Sequence, residues 1–146
     1  RDRNLSELIE KIVDKYNNKN ISTNLLARIH INGRKNLIQR CINNLIDNAI
    51  KYGDLVKIEL NKSNNSVFIK IEDNGPGIPE KDYEKALKPF QRLDSSRNQN
   101  IAGSGLGLSI SQEIINSIGG SIKLSKSGLG GLKVTITLPP RDNLIT

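Results

Sequence analysis

Val67-Phe68-Ile69-Lys70-Ile71-Glu72-Asp73, running into Asn74-Gly75-Pro76-Gly77-Ile78-Pro79, decides how this chain is read. Val67, Ile69 and Ile71 alternate with Phe68, Lys70 and Glu72, the period of a β-strand with one apolar side. Asp73 continues the register of Val67, Ile69 and Ile71, so its carboxylate points to the covered side of a sheet. A carboxylate there is costly unless something donates hydrogen bonds to it. The strand then stops in a turn with two glycines and two prolines. Glycine allows positive φ and lets a ligand come close to the main chain, while proline stiffens the turn. Alone, Asp-Asn-Gly is also simply a good turn. Two further motifs favour a ligand site.

Working outward, 146 residues suffice for one domain with its own core, and 36% hydrophobic with 25% charged residues is ordinary for a globular protein. Helical and strand patterns alternate, which predicts a mixed α/β class. No apolar run approaches the ~20 residues of a membrane helix, and no signal-peptide pattern opens the chain. The sequence begins at Arg1 and contains no Met, so we expect a piece of a longer protein, with 1–146 as one domain and 141–146 as a frayed tail. The net charge of +7 invites a nucleic-acid partner. However, the basic residues are spread along the chain, and Tyr16, Tyr52, Phe68, Tyr83 and Phe90 are too scattered for a stacking platform. We expect no nucleic acid and no direct membrane contact. Cys41 lies among apolar residues at helical spacing and reads as a buried, inert thiol. His30 falls on the polar side of its strand, without a metal partner or nucleophile nearby in sequence, and reads as a structural or surface histidine.

In chain order, Asn4 is placed to cap a helix over Leu5–Tyr16. Ile21–Leu25 and Arg28–Ile31 read as short strands. A helix over Lys35–Tyr52 carries the apolar stripe Leu37, Ile38, Cys41, Ile42, Leu45, Ile46 and Ala49. Beside it Asn44, Asn48 and Lys51 form a polar stripe, and Gly53 ends the helix. Two amides one turn apart suit a hard cation such as magnesium, when phosphates balance its charge, and lysine suits a terminal phosphate. Asn is a poor helix former, so two in mid-helix suggest a purpose. Val56, Ile58 and Leu60 mark a strand that pairs antiparallel with the one ending at Asp73, through a turn at Lys62-Ser63-Asn64-Asn65. Glu80–Leu87 reads as a short helix. Leu93–Ala102 is polar and aperiodic, the composition of a mobile lid or of an idle, disordered loop, and its flanks favour the lid. It leads into Gly103-Ser104-Gly105-Leu106-Gly107-Leu108 and a helix stacking Leu106, Ile110, Ile114 and Ile118. A glycine-rich helix entry presents free N–H groups to an anion. Two strands follow, around Ile122–Leu124 and Leu132–Leu138, joined by a glycine-rich turn over Lys126–Gly131.

The order and spacing of these motifs resemble the sensor histidine kinases. Asn44-Leu45-Ile46-Asp47-Asn48-Ala49-Ile50-Lys51-Tyr52 resembles their N box, Asp73-Asn74-Gly75-Pro76-Gly77 their G1 box, Phe90-Gln91-Arg92 their F box, and Gly103–Leu108 their G2 box. Within the family the likeness is greatest to the catalytic ATP-binding domain of EnvZ-type osmosensing kinases. The resemblance implies a two-layer α/β sandwich of the Bergerat type, a mixed, mostly antiparallel sheet with helices on one face. It implies ATP and Mg2+ as cofactors. By position, Asp73 matches the acid that accepts from the adenine amino group. Gly75, Gly77 and Ile78 match the turn against the base, and Tyr52 a ring stacked on it. Asn48 matches the magnesium ligand, Asn44 lies close by, and Lys51 matches a phosphate contact. Gly103, Ser104, Gly105 and Gly107 match the phosphate-side loop, anchored by Leu106 and Leu108. Arg92 and Arg97 lie where the resemblance puts lid cations that meet phosphate, and Phe90 of the F box is counted with the nucleotide-binding residues.

The partners implied are a histidine-bearing dimerisation domain of the same kinase and a response-regulator receiver domain. The place implied is the cytoplasmic side of a bacterial membrane that anchors the parent protein. The family's phosphoacceptor histidine precedes an acid and, soon after, a proline. His30 is followed by Ile31-Asn32-Gly33, so the acceptor is expected elsewhere. Where the family often has Gly-Thr near its last turn, this chain has Gly131-Leu132. ATP hydrolases of the same superfamily carry a Glu at the position of Asn44 to activate water. An amide cannot take that proton, which favours transfer to a protein nucleophile over hydrolysis. The intact Asn48, Asp73 and glycine set weighs against a non-enzymatic nucleotide-sensing or protein-binding module.

Overall fold

The computed structural model describes residues 3–16, 20–25, 30–31, 35–63, 66–88 and 105–138. Its centre is a five-stranded sheet built from β2 (Asn20–Leu25), β4 (Leu55–Ser63), β5 (Ser66–Asp73), β6 (Ser121–Lys126) and β7 (Leu132–Leu138), in the order β2-β4-β5-β7-β6. The β4–β5, β5–β7 and β6–β7 pairs are antiparallel and β2–β4 is parallel, so the sheet is mixed. Alternation divides its faces. Val56, Ile58, Leu60, Val67, Ile69, Ile71, Val134, Ile136 and Leu138 are buried on one, while Lys57, Glu59, Lys70 and Lys123 lie on the other.

Helices cover the apolar face: α1 (Leu5–Asp14), α2 (Lys35–Tyr52), α3 (Tyr83–Leu87) and α4 (Gly105–Ser117). α1 buries Leu5, Leu8, Ile9 and Ile12, the i, i+3, i+4, i+7 positions of one face. α2 buries Ile38, Cys41, Ile42, Leu45, Ile46 and Ala49, the stripe read from the sequence, and packs on β4, β5 and α4. Burial pushes the Cys41 thiol up to about 11, so it stays protonated at neutral pH. Tyr16 donates its hydroxyl hydrogen bond to the Asp47 carboxylate, tying the end of α1 to α2.

Two local features differ from expectation. Arg3 and Asn4 form a two-residue strand, β1, paired antiparallel with β3 (His30–Ile31), and the Asn4 side chain expected to cap α1 lies outside what the structure describes. Residues 26–29, and so the first half of the expected strand Arg28–Ile31, lie outside the described residues. α4 buries Leu108, Ser111, Ile114 and Ile115, with Ile110 and Ile118 half-buried. The face differs from the stack 106-110-114-118 because α4 is held between α2, α3 and β6 at once. Ser111 makes this possible: its hydroxyl donates to the Cys41 carbonyl of α2 at 3.3 Å, satisfying a polar group that packing would otherwise strand.

Candidate nucleotide-binding site

The apolar side of β5 ends on Asp73, and the site is built around that carboxylate. It is 6% exposed. Its Oδ1 accepts the Gly75 N–H at 2.8 Å and the Leu132 N–H at 3.3 Å. Burial raises its pKa above the ordinary carboxylate value, while the two N–H groups act in the opposite direction. Both described donors converge on one oxygen, which leaves Oδ2 to meet a ligand.

The turn after β5 is held from two sides. Asn74 Oδ1 accepts from the N–H groups of Asp54 and Leu55, at 2.7 and 2.9 Å, fastening the α2–β4 connection to the end of β5. Gly131 donates its N–H to the Asp73 carbonyl at 3.1 Å. Gly77 takes φ +72, a backbone conformation that favours glycine. Gly75 has a packing reason of its own: a Cβ there would lie 2.3 Å from the Tyr52 carbonyl oxygen. A Cβ on Gly131 would meet Asp73 Oδ1 at 2.3 Å.

Above Asp73 lies an open recess. Leu45, Ala49, Ile71, Ile78, Leu108, Leu132 and Val134 supply its apolar walls. Its polar groups are Asn48 and Tyr52 from α2 and Asp73 itself. An apolar slot with a single acceptor at its base suits a flat heteroaromatic ring carrying an amino group.

Of the residues singled out from sequence, Asn48, Tyr52, Asp73, Gly77, Ile78 and Leu108 line this recess. Gly75 sits beside it through its N–H. Asn44 is half-buried one turn before Asn48 on α2. Lys51 is exposed rather than in the recess, its ammonium 5.9 Å from the Tyr52 ring centroid. Gly105, Leu106 and Gly107 form the first turn of α4, whose Leu108 reaches the recess. Phe90, Arg92, Arg97, Gly103 and Ser104 lie outside the described residues, as does the Leu93–Ala102 segment. Leu132 and Val134 in the wall of the recess, and Gly131 hydrogen-bonded to Asp73 beside it, were not expected as site residues. Val134 was legible only as core, and the parts played by Gly131 and Leu132 rest on backbone N–H groups.

The donor set bears on a metal. Among the described residues no three His, Cys, Asp or Glu side chains cluster to hold one. Asn48 offers a neutral amide in the recess. That fits a magnesium ion delivered on a polyphosphate, with the phosphates supplying the charge, and not a metal bound by protein alone.

The family model described as histidine kinase-, DNA gyrase B- and HSP90-like ATPase matches residues 33–142. The chain belongs to this ATPase family. The match takes in α2, β4, β5, α3, α4, β6 and β7, so every described wall of the recess falls within it. Among its relatives is the sensor histidine kinase GtrS of Pseudomonas aeruginosa, 40% identical over 107 residues, which covers 73% of this chain and 22% of that kinase. The chain thus spans about a fifth of the length of that relative. The catalytic domain of histidine kinase ThkA superposes with a TM-score of 0.81 at 25% identity, over 96% of this chain and 95% of that one. The histidine kinase domain of the E. coli osmosensor EnvZ superposes at 0.71 with 29% identity, covering 97% and 89%. The expected α/β sandwich, a mixed sheet with helices on one face, is the fold of these catalytic domains.

Proposed function

We propose that this chain is the catalytic portion of a protein-histidine kinase, binding MgATP and presenting the γ-phosphoryl to a histidine on a separate domain. The observation that carries this is the Asp73 carboxylate, buried at the base of an apolar slot with one oxygen occupied by two backbone N–H groups. Its second oxygen accepts from the 6-amino group of adenine. Leu45, Ala49, Ile78, Leu108, Leu132 and Val134 take the faces of the base, and Tyr52 stacks at its edge. Asn48 provides an amide oxygen to magnesium, and Asn44 assists from the preceding turn. Magnesium, when bound, neutralises charge on the phosphates as the transferred group departs. Lys51, and Arg92 and Arg97 beyond the described residues, add positive charge around the phosphates. The first turn of α4, with Gly105 and Gly107, directs N–H groups toward them, and Gly103 and Ser104, beyond the described residues, extend that loop.

In the proposed transfer the bond between the γ-phosphorus and the ADP oxygen breaks. A bond from that phosphorus to an imidazole nitrogen forms, and ADP leaves with the electron pair. The chain's contribution is position and electrostatics. Asn44 cannot deprotonate water, which supports transfer to a protein nucleophile over hydrolysis. The acceptor is the histidine of a dimerisation domain of the same kinase, and a receiver-domain aspartate of a response regulator takes the phosphoryl next. In line with relatives named as sensor kinases, we place the parent protein in a bacterial membrane with this portion on the cytoplasmic side. The chain is mixed with γ-labelled ATP, magnesium and a separate helical domain bearing such a histidine. Acid-labile, base-stable label on that domain is expected. Label appearing only as free phosphate would make the chain a hydrolase instead.

A further inference from the structure

Glu72 occupies a position where a solvated charge is normal. It projects from the sheet face opposite the helices, between Lys57 on β4 and Lys133 on β7 in the strand register. Yet it is only 8% exposed. Ser127, itself 4% exposed, covers it, donating its Oγ hydrogen bond to Glu72 Oε1 at 2.8 Å. The same Oγ accepts the Leu129 N–H at 2.9 Å. Ser127 also closes the β6–β7 tip through its main chain. Its N–H donates to the Gly131 carbonyl at 2.8 Å, and its carbonyl accepts from Gly130 at 3.0 Å. Gly130 sits at φ +111, so this closed tip has a glycine where a side chain would strain it.

The tip so fastened to Glu72 reaches the very next residue of β5. Gly131 donates to the Asp73 carbonyl, and Leu132 donates to the Asp73 carboxylate. At 3.3 Å the Leu132 bond lies beyond the usual N–H···O range, so a small drift of the hairpin forfeits it.

We propose that Ser127 and Glu72 are positioning residues for base recognition, pinning the β6–β7 tip so that the Leu132 N–H fixes how the Asp73 carboxylate faces the nucleotide. The inference rests on Asp73 reading the base, as proposed above. Neither residue lines the recess. Their effect is exerted on one oxygen: with Gly75 and Leu132 both on Oδ1, Oδ2 faces a donor on the ligand. With Leu132 gone, the carboxylate turns about its remaining partner and loses direction. The property at stake is preference for a purine bearing a 6-amino group over one lacking it. General affinity, which depends on the apolar walls and the phosphates, is a separate matter.

The experiment titrates ADP and the diphosphate of amino-free purine riboside, each with magnesium, into the wild-type chain and its variants. Ser127→Ala is expected to reduce the preference for ADP by about five- to tenfold, the order of one weakened hydrogen bond to a charged group. Ser127→Thr, which keeps the hydroxyl, retains it. Glu72→Leu removes the acceptor without touching the hairpin, and carries the same test if Ser127→Ala does not fold. Undiminished preference in a folded variant overturns the proposal. So does equal weakening of both nucleotides, which a merely structural role would produce. A wild-type chain that binds both diphosphates equally instead removes the assignment of Asp73, and the inference with it.

Discussion

At Asp73 burial lifts the carboxyl pKa above its ordinary value, with the Gly75 and Leu132 N–H groups pulling back. The unfolded value is about 3.9. A carboxyl whose pKa rises on folding favours the folded state below that unfolded value, and the contribution is lost as pH rises through the folded value. At neutral pH the ionised group therefore works against the fold. Asp73→Asn is expected to melt no lower than wild type at pH 7, and any advantage shrinks as the solution is acidified through the raised pKa. Melting curves at several pH values check this. The same variant loses a charged acceptor, and ADP affinity falls by about 1.5–3 kcal/mol, read by calorimetry. Gly131→Ala puts a methyl 2.3 Å from Asp73 Oδ1 and 2.6 Å from both the Asp73 carbonyl oxygen and the Gly75 nitrogen. Overpacking of this kind costs about 1–3 kcal/mol, measurable by denaturant unfolding. The acid was legible in sequence because strand alternation places it. Its partner Leu132 was not, because the donor is a main-chain N–H 59 positions downstream, which no side-chain pattern marks.

Among the elements, α2 was the most legible, found at the expected Lys35–Tyr52. Its apolar stripe is long enough for the 3.6-residue period to be unmistakable, and Gly53 closes it with an N–H to the Ala49 carbonyl at 2.9 Å. The two-residue strands β1 and β3 are too short to carry any period. The parallel pairing of β2 with β4 depends on a connection through α2 that local sequence does not specify. Asn74 read as a turn residue. Its further role is to accept two N–H groups at the start of β4. Asn74→Ala leaves those donors without that partner and is expected to destabilise the chain by about 1–3 kcal/mol. Chemical unfolding with an unchanged midpoint would contradict it. On α2 the polar stripe divides, with Asn48 in the recess and Lys51 exposed. Asn48→Ala should leave melting nearly unchanged and flatten the magnesium dependence of ATP binding. A variant as magnesium-dependent as wild type would remove the amide from the metal's shell.

Over the whole molecule, one core lies between the covered sheet face and the helices, while the other face carries the lysines and glutamates that alternation puts there. The recess opens where α2, the end of β5, the start of β7 and α4 meet. Widely separated segments therefore share one pocket, and only their combined motifs made it recognisable from sequence. The excess of positive charge, +7 over the chain, is suited to a triphosphate as it is to solvent. The central claim is that this pocket binds an adenine nucleotide with its metal. Calorimetric titration of the folded chain with ATP, with and without magnesium, tests it most directly. Saturable binding that magnesium strengthens and Asp73→Asn weakens at least tenfold is expected. Absence of heat or any other sign of adenine-nucleotide binding by the folded chain, with magnesium present, would contradict it.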